Sequence, residues 1–280
     1  MHAEPRDMIL VNGVQSADVS ALDRGLAYGD GLFETLAVVD KKILNWPRHI
    51  DRLRRGCSTL DIPQPDINTL EEEIDRVIGG FHRSVVKVIV TRGNGGRGYT
   101  PLAITKATRI VCRYEWPEGY VDREESGIAV CIAEHRLSCN SQLAGLKHLN
   151  RLDQVLASIE LDQFDADEAL MLDTRDFVIE ATRCNLFVVR EGQLYTPNLE
   201  LCGVAGVMRS LILEISEDLR LNPQEIHLSI EDLFKADEIF LCNAIAGIWP
   251  IIEISPSQHR LPIGETTRVL QGAIDSRGYH

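Results

Sequence analysis

Gly145-Leu146-Lys147-His148-Leu149-Asn150-Arg151-Leu152 and, further along, Phe177-Val178-Ile179-Glu180-Ala181-Thr182-Arg183-Cys184-Asn185-Leu186-Phe187 are the stretches on which the reading of this sequence turns. The first sets a lysine at a strand-to-helix junction. Apolar Leu146 precedes it, and a helical pattern begins near Asn150, with Leu152, Val155, Leu156 and Ile159 on one face. The second stretch is a strand pattern carrying one carboxylate, Glu180, between Ile179 and Ala181. An amine that can form a Schiff base and a carboxylate that can hold a protonated ring nitrogen belong to one kind of chemistry. From local sequence alone, a solvated lysine and a solvent-facing strand carboxylate remain the simpler readings.

Working outward, the pattern is that of two α/β domains. The first covers residues 1–114. Met8 to Gly13 reads as a short strand ending in an Asn-Gly turn, and Leu32 to Val39, Lys41-Lys42 and Ile43 to Trp46 as a hairpin. Pro47 opens a helix with Ile50, Leu53, Cys57 and Leu60 as its stripe, and Leu70, Ile74, Val77 and Ile78 mark another. Strands at Val85 to Thr91 and Thr108 to Arg113 flank a glycine-rich loop. Pro, Gly and charge break the periodicity over 115–127, which reads as the interdomain connection. The second domain, 128–280, holds strands at Ile128 to Glu134, Glu168 to Leu172, Val178 to Ala181, Asn185 to Val189 and Glu238 to Asn243. It also holds a helix striped by Met208, Leu211, Ile212, Ile215 and Leu219.

A chain of 280 residues with 44% hydrophobic and 25% charged residues has the makings of a soluble globular protein. Its net charge of −13 argues against a nucleic-acid partner, and no apolar run is long enough for a membrane span. No signal peptide is apparent at the start, and the seven scattered cysteines form no Cys-x-x-Cys pair. Reduced thiols in a cytoplasmic protein without a metal site are therefore expected.

Of the six lysines, Lys41, Lys42, Lys106 and Lys235 lie in turns or polar connections. Lys87 lies in a strand, where an outward position would satisfy it. The loop from Thr91 to Tyr99 contains a literal G-x-G-x-x-G, from Gly93 to Gly98. A strand follows it rather than a helix, which excludes a dinucleotide site. Gly203 to Gly206 leads into a helix beginning near Val207, where unpaired N–H groups suit an anion. Arg52 falls off the apolar stripe of its helix, and Asn243 ends an apolar strand.

The lysine stretch, Glu180-Ala181 with Asn185-Leu186-Phe187, and Tyr28-Gly29-Asp30-Gly31-Leu32-Phe33-Glu34-Thr35 together resemble the branched-chain aminotransferase-like (fold type IV) family of pyridoxal 5′-phosphate (PLP) enzymes, from about Ile9 to about Pro250. The resemblance implies an α/β (α+β) fold of two domains with the cofactor site at their junction, and a homodimer. It implies PLP on Lys147, with Glu180 against the ring nitrogen. Val207 and Met208 (through backbone N–H groups), Arg52 and Asn243 would hold the phosphate. It places Thr35 near the reacting groups and Arg97 and Tyr28 on the substrate.

Arg92 to Tyr99 and Leu143 to Gln154 are nearer the family's lyases than its transaminases. Those lyases eliminate pyruvate from 4-amino-4-deoxychorismate, leaving 4-aminobenzoate for folate synthesis. A transaminase of D-amino or branched-chain amino acids, using the same Lys147 and Glu180, is the alternative. A non-catalytic binding protein of the same fold is a third reading.

Overall fold

The computed structural model describes residues 8–96, 98–102 and 106–279. They form two compact units: Met1–Trp116 together with Leu146–Asn150, and Pro117–Gly145 together with Arg151–His280. Among the described residues no helix is long and apolar enough to cross a membrane.

The first unit is an antiparallel sheet with two helices on one face. Its elements are β1 (Ile9–Val11), β2 (Val14–Gln15), α1 (Arg24–Tyr28), β3 (Gly31–Val39), β4 (Lys42–Ile43), α2 (Trp46–Leu60), α3 (Ile67–Ile78), β5 (Arg83–Thr91) and β6 (Thr108–Tyr114). The strand order is β2-β1-β6-β5-β3-β4. The hairpin's return strand is shorter than the pattern suggested. Asn45, at φ 53°, turns the chain, and α2 already begins at Trp46 with Pro47 in its first turn.

Leu32, Leu36, Val86, Val88, Val90 and Val111 on the sheet meet Ile50, Leu53 and Cys57 of α2 and Leu70, Ile74, Val77 and Ile78 of α3. Each side chain so buried contributes roughly 1.5–3 kcal/mol relative to exposure. Beyond the reach of β4, the edge of β3 is completed by residues 146–150. Leu32 bridges His148 in antiparallel register, Phe33 N donates to Lys147 O (2.9 Å), and Leu149 N donates to Gly31 O (3.0 Å).

The second unit begins with α4 (Tyr120–Ser126), inside the stretch read as a connection. Trp249 Nε1 donates to Tyr120 O, and Gln271 Nε2 to Glu124 O, so this helix is bound into the unit. It continues with β7 (Ile128–Leu137), α5 (Leu152–Leu161), β8 (Glu168–Asp173), β9 (Val178–Ala181), β10 (Asn185–Arg190), β11 (Gln193–Pro197), α6 (Val207–Asp218), β12 (Gln224–Ile226), α7 (Ile230–Phe234), β13 (Glu238–Asn243), β14 (Gly247–Ser255), β15 (His259–Arg260) and α8 (Glu265–Ile274).

The strand order is β12-β11-β10-β13-β14-β7-β8-β9, and β9 pairs back to β10 through Glu180 and Asn185. That pair closes a barrel-like sheet. Val130, Leu170, Leu172, Val178, Leu186, Val188, Leu241, Trp249 and Ile251 share one apolar cluster. A second cluster, with Cys131, Ala133, Ala169, Met171 and Ile179, includes Ala157 of α5. The apolar stripe read on α5 does not join either cluster. Leu152, Val155, Leu156 and Ile159 are exposed.

Candidate active site

In the first unit the pairing of residues 146–150 with β3 sets Lys147 opposite Phe33, and Lys147 Nζ lies over the Phe33 ring, 4.4 Å from its centroid. Thr35 is two residues along and therefore on the same face. Its cross-strand partner is Lys87, whose Nζ lies 5.0 Å from the Phe33 centroid. One face of β3 thus carries Phe33 and Thr35, with the amines of Lys147 and Lys87 both near the Phe33 ring. The sequence reads Lys87 as an outward-facing strand lysine and not as a site residue. The only signal there is a charge inside the run Val85 to Val90, and its meaning depends on a register that sequence does not give.

Glu34 points to the opposite face, under α2, where it organises two other side chains. Arg52 Nε donates to its Oε1 at 2.8 Å, Arg52 Nη2 to its Oε2, and His49 Nδ1 lies 2.6 Å from Oε2. All three groups are buried. Burial alone would raise the Glu34 carboxyl, but the charge of Arg52 and the bonds from Arg52 and His49 hold it at about 2. Burial also pushes the His49 imidazole below its usual range, against the pull of Glu34. Arg52 is thus an oriented, ion-paired side chain rather than a solvated one.

Because the folded value of Glu34 lies below its ordinary 4.5, its contribution to stability is complete above that pH. It is lost as pH falls from 4.5 towards 2. Replacing Glu34 with alanine is expected to cost about 3–5 kcal/mol at neutral pH, by stranding two buried cationic or polar partners. In urea melts the gap between wild type and Glu34→Ala should narrow as pH drops through that window. A gap unchanged with pH would contradict this account.

Tyr28 closes α1, with Arg24 Cζ 4.8 Å from its ring centroid and the Tyr99 ring 5.5 Å away. Arg24 also donates to the carbonyl oxygens of Gly98 (3.0 Å) and Tyr99 (2.8 Å), tying the glycine loop to α1. Arg97 itself lies outside the described residues.

In the second unit the position of Glu180 depends on a β-bulge. Leu172 pairs Val178, yet Met171 pairs Glu180, so one extra residue, Ile179, sits on β9. Regular alternation through Ile179 would instead put Glu180 on the face of Val178, in the barrel interior. With the bulge, Glu180 stands with Met171, only 4% exposed, and Val204 N donates to its Oε2 at 2.8 Å. Gln154 Nε2 approaches Oε1 at 3.4 Å, and the guanidinium of Arg151 interacts with the same carboxylate.

The turn that supplies Val204 also starts α6. Asn185 Nδ2 donates to Val204 O (2.8 Å), and a Cβ on Gly206 would fall 2.0 Å from Asn185 Oδ1. Only glycine fits there. The helix consequently begins with no side-chain cap, which leaves the backbone N–H groups of Val207 and Met208 in an uncapped first turn. Asn243 is engaged locally, its Oδ1 accepting from Ile245 N (2.8 Å) and Ala246 N (2.7 Å) while Nδ2 lies 3.1 Å from Cys184 Sγ.

In the second unit a buried carboxylate is of the kind that holds a protonated ring nitrogen, and an uncapped helix start is of the kind that holds a phosphate dianion; in the first, Lys147 carries an amine of the kind that condenses with an aldehyde.

Residues 31–254 match the amino-transferase class IV family, and the chain belongs to it. It is a PLP-dependent enzyme. Aminodeoxychorismate lyase of Vibrio harveyi is 35% identical over 271 residues, spanning 96% of this chain and 100% of the relative. The crystal structure of 4-amino-4-deoxychorismate lyase from Pseudomonas aeruginosa is similar with a TM-score of 0.92 and 41% identity, covering 98% of this chain and 100% of that one. Branched-chain amino acid aminotransferase of Escherichia coli gives 0.85 at 26% identity, over 96% and 93% of the two chains.

Proposed function

We propose that this chain eliminates pyruvate from 4-amino-4-deoxychorismate and releases 4-aminobenzoate, a step of folate synthesis. The full-length similarity to two lyases supports the substrate. The observation that carries the reaction type is Thr35 on the face of β3 that carries Phe33, with the amines of Lys147 and Lys87 both near that ring. An elimination needs a base at the carbon that loses its proton and a proton for the departing oxygen. A transaminase has no leaving oxygen to protonate.

PLP, when bound, supplies an aldehyde carbon for the substrate amine and a ring that accepts the electron pair left at C4. Lys147 holds the cofactor at rest and, once displaced by the substrate's amine, removes the C4 proton. The C–O bond to the enolpyruvyl group then breaks, and Lys147, aided by the Thr35 hydroxyl, returns a proton to the leaving group. Lys87 and Arg97 meet substrate carboxylates, and Tyr28 borders the substrate. Glu180 keeps a proton on the ring nitrogen, while the N–H groups of Val207 and Met208, with Arg52 and Asn243, hold the phosphate. Aromatisation of the ring supplies the driving force.

The test is to supply 4-amino-4-deoxychorismate and measure both products. Equal yields of pyruvate and 4-aminobenzoate, without any keto acid, are expected. A PLP-loaded protein that released neither but moved an amino group onto a keto acid would be a transaminase.

We also propose a homodimer, in the cytoplasm. The exposed apolar stripe of α5 supports self-association, since such a face is costly in water. The seven free thiols, six of them buried, suit a reducing compartment. Placing a charge in the stripe, as Leu156→Lys, should shift the protein from dimer to monomer in sedimentation. A dimer of undiminished affinity would remove α5 from the interface.

A further inference from the structure

Outside the groups assigned to the reaction, the second unit carries a cluster of Cys139 Sγ, Cys202 Sγ and an Asp173 carboxylate oxygen, all within 4.8 Å of one another. Asp173 is already committed: Arg175 Nε donates to Oδ2 (2.9 Å), while Arg175 N (2.8 Å) and Phe177 N (3.1 Å) donate to Oδ1. The two sulfurs are not so tied. Cys139 is exposed, with Thr174 Oγ1 at 3.3 Å, and Cys202 is buried, its thiol in hydrogen-bonding reach of Cys139.

The backbones that carry them are already laid side by side. Asn140 N donates to Leu201 O (2.7 Å), Gly145 N to Gly203 O (2.9 Å), and Ala205 N to Gly145 O (3.0 Å). A bond between the sulfurs would therefore need a side-chain adjustment and no new approach of the chain.

We propose that Cys139 and Cys202 are a redox-active dithiol, which a low-molecular-weight disulfide such as oxidised glutathione converts to an intramolecular disulfide. The exposed Cys139 thiolate attacks one sulfur of the small disulfide and expels a thiolate. The sulfur of Cys202 then attacks Cys139 Sγ and expels the second. Two S–H bonds are lost and one S–S bond forms. The small disulfide is reduced to two thiols, which take up the two protons. Cys139 begins the sequence because its sulfur is the exposed one of the two. Burial raises the Cys202 thiol well above its ordinary value, which makes it the second to react.

The consequence is local and independent of which reaction the enzyme catalyses. The bond would staple the turn that runs on into Lys147 to the turn whose Val204 N–H holds Glu180.

The intact protein is incubated with oxidised glutathione, quenched, alkylated after denaturation and mapped by mass spectrometry. The expected result is loss of two alkylatable thiols, a peptide pair linking Cys139 to Cys202, and full reversal by dithiothreitol. Cys202→Ala should stop at one glutathione on Cys139, and Cys139→Ser should take up none. A wild-type protein that accumulates glutathione on Cys139 while Cys202 is still alkylated would overturn the proposal. Absence of any reaction, or linkage of a different pair, would do the same.

Discussion

Lys147→Ala abolishes turnover, with a loss of more than about 10⁴-fold, because one side chain both anchors the cofactor and moves the proton. The loss should leave the fold intact. Lys147 contributes its backbone oxygen, not its side chain, to the edge of β3, and alanine preserves that bond. What disappears is the amine over the Phe33 ring. Borohydride treatment of the wild type should fix PLP irreversibly to the peptide containing residue 147 and fail to fix it in the variant. Undiminished pyruvate release by Lys147→Ala would sink the proposed mechanism, and trapping on Lys87 instead would move the anchor across the same ring.

Glu180→Gln is the second large effect, and it separates charge from shape. Glutamine keeps a side-chain oxygen to accept from Val204 N, so the turn that starts α6 should hold. It cannot stabilise a proton on the ring nitrogen, because the carboxylate's charge is gone. Turnover is expected to fall about 10²–10³-fold, the scale for removing one preorganised electrostatic contact. Thermal stability should shift by little more than one hydrogen bond's worth. A variant that folds, binds PLP and turns over at the wild-type rate would take the ring nitrogen away from Glu180.

The sequence made periodic elements legible and left their partners hidden. The stripes of α2 and α3 read correctly because a helix face facing a sheet needs only local spacing. The stripe of α5 was equally regular, yet its destination was not written in the spacing: an apolar face looks the same whether it meets a core or a second surface. Glu180 was found by resemblance, but its direction is set by the extra residue at Ile179, and a bulge cannot be seen in an apolar run. The strand β14 escaped because Pro250 interrupts it, although Trp249 beside it lies in the barrel cluster. Arg52 showed in the sequence only as a residue off its helix's apolar stripe, because its partner, Glu34, comes from another element, and a pairing between β3 and α2 is a tertiary fact. The company of Lys147, with Lys87 and Thr35, likewise depends on strand register rather than on neighbours in sequence.

The five residues Leu146–Asn150 belong to the first unit although chain of the second lies on both sides of them. That arrangement makes the protein resistant to dissection. A fragment cut after Trp116 would have nothing to cover the edge of β3 from Gly31 to Phe33, an open template for mispairing. The complementary fragment would contain Lys147 on a segment deprived of the strand that orders it. The amine is therefore set in place only when a late stretch of chain returns to an early sheet, so its placement waits on synthesis of both.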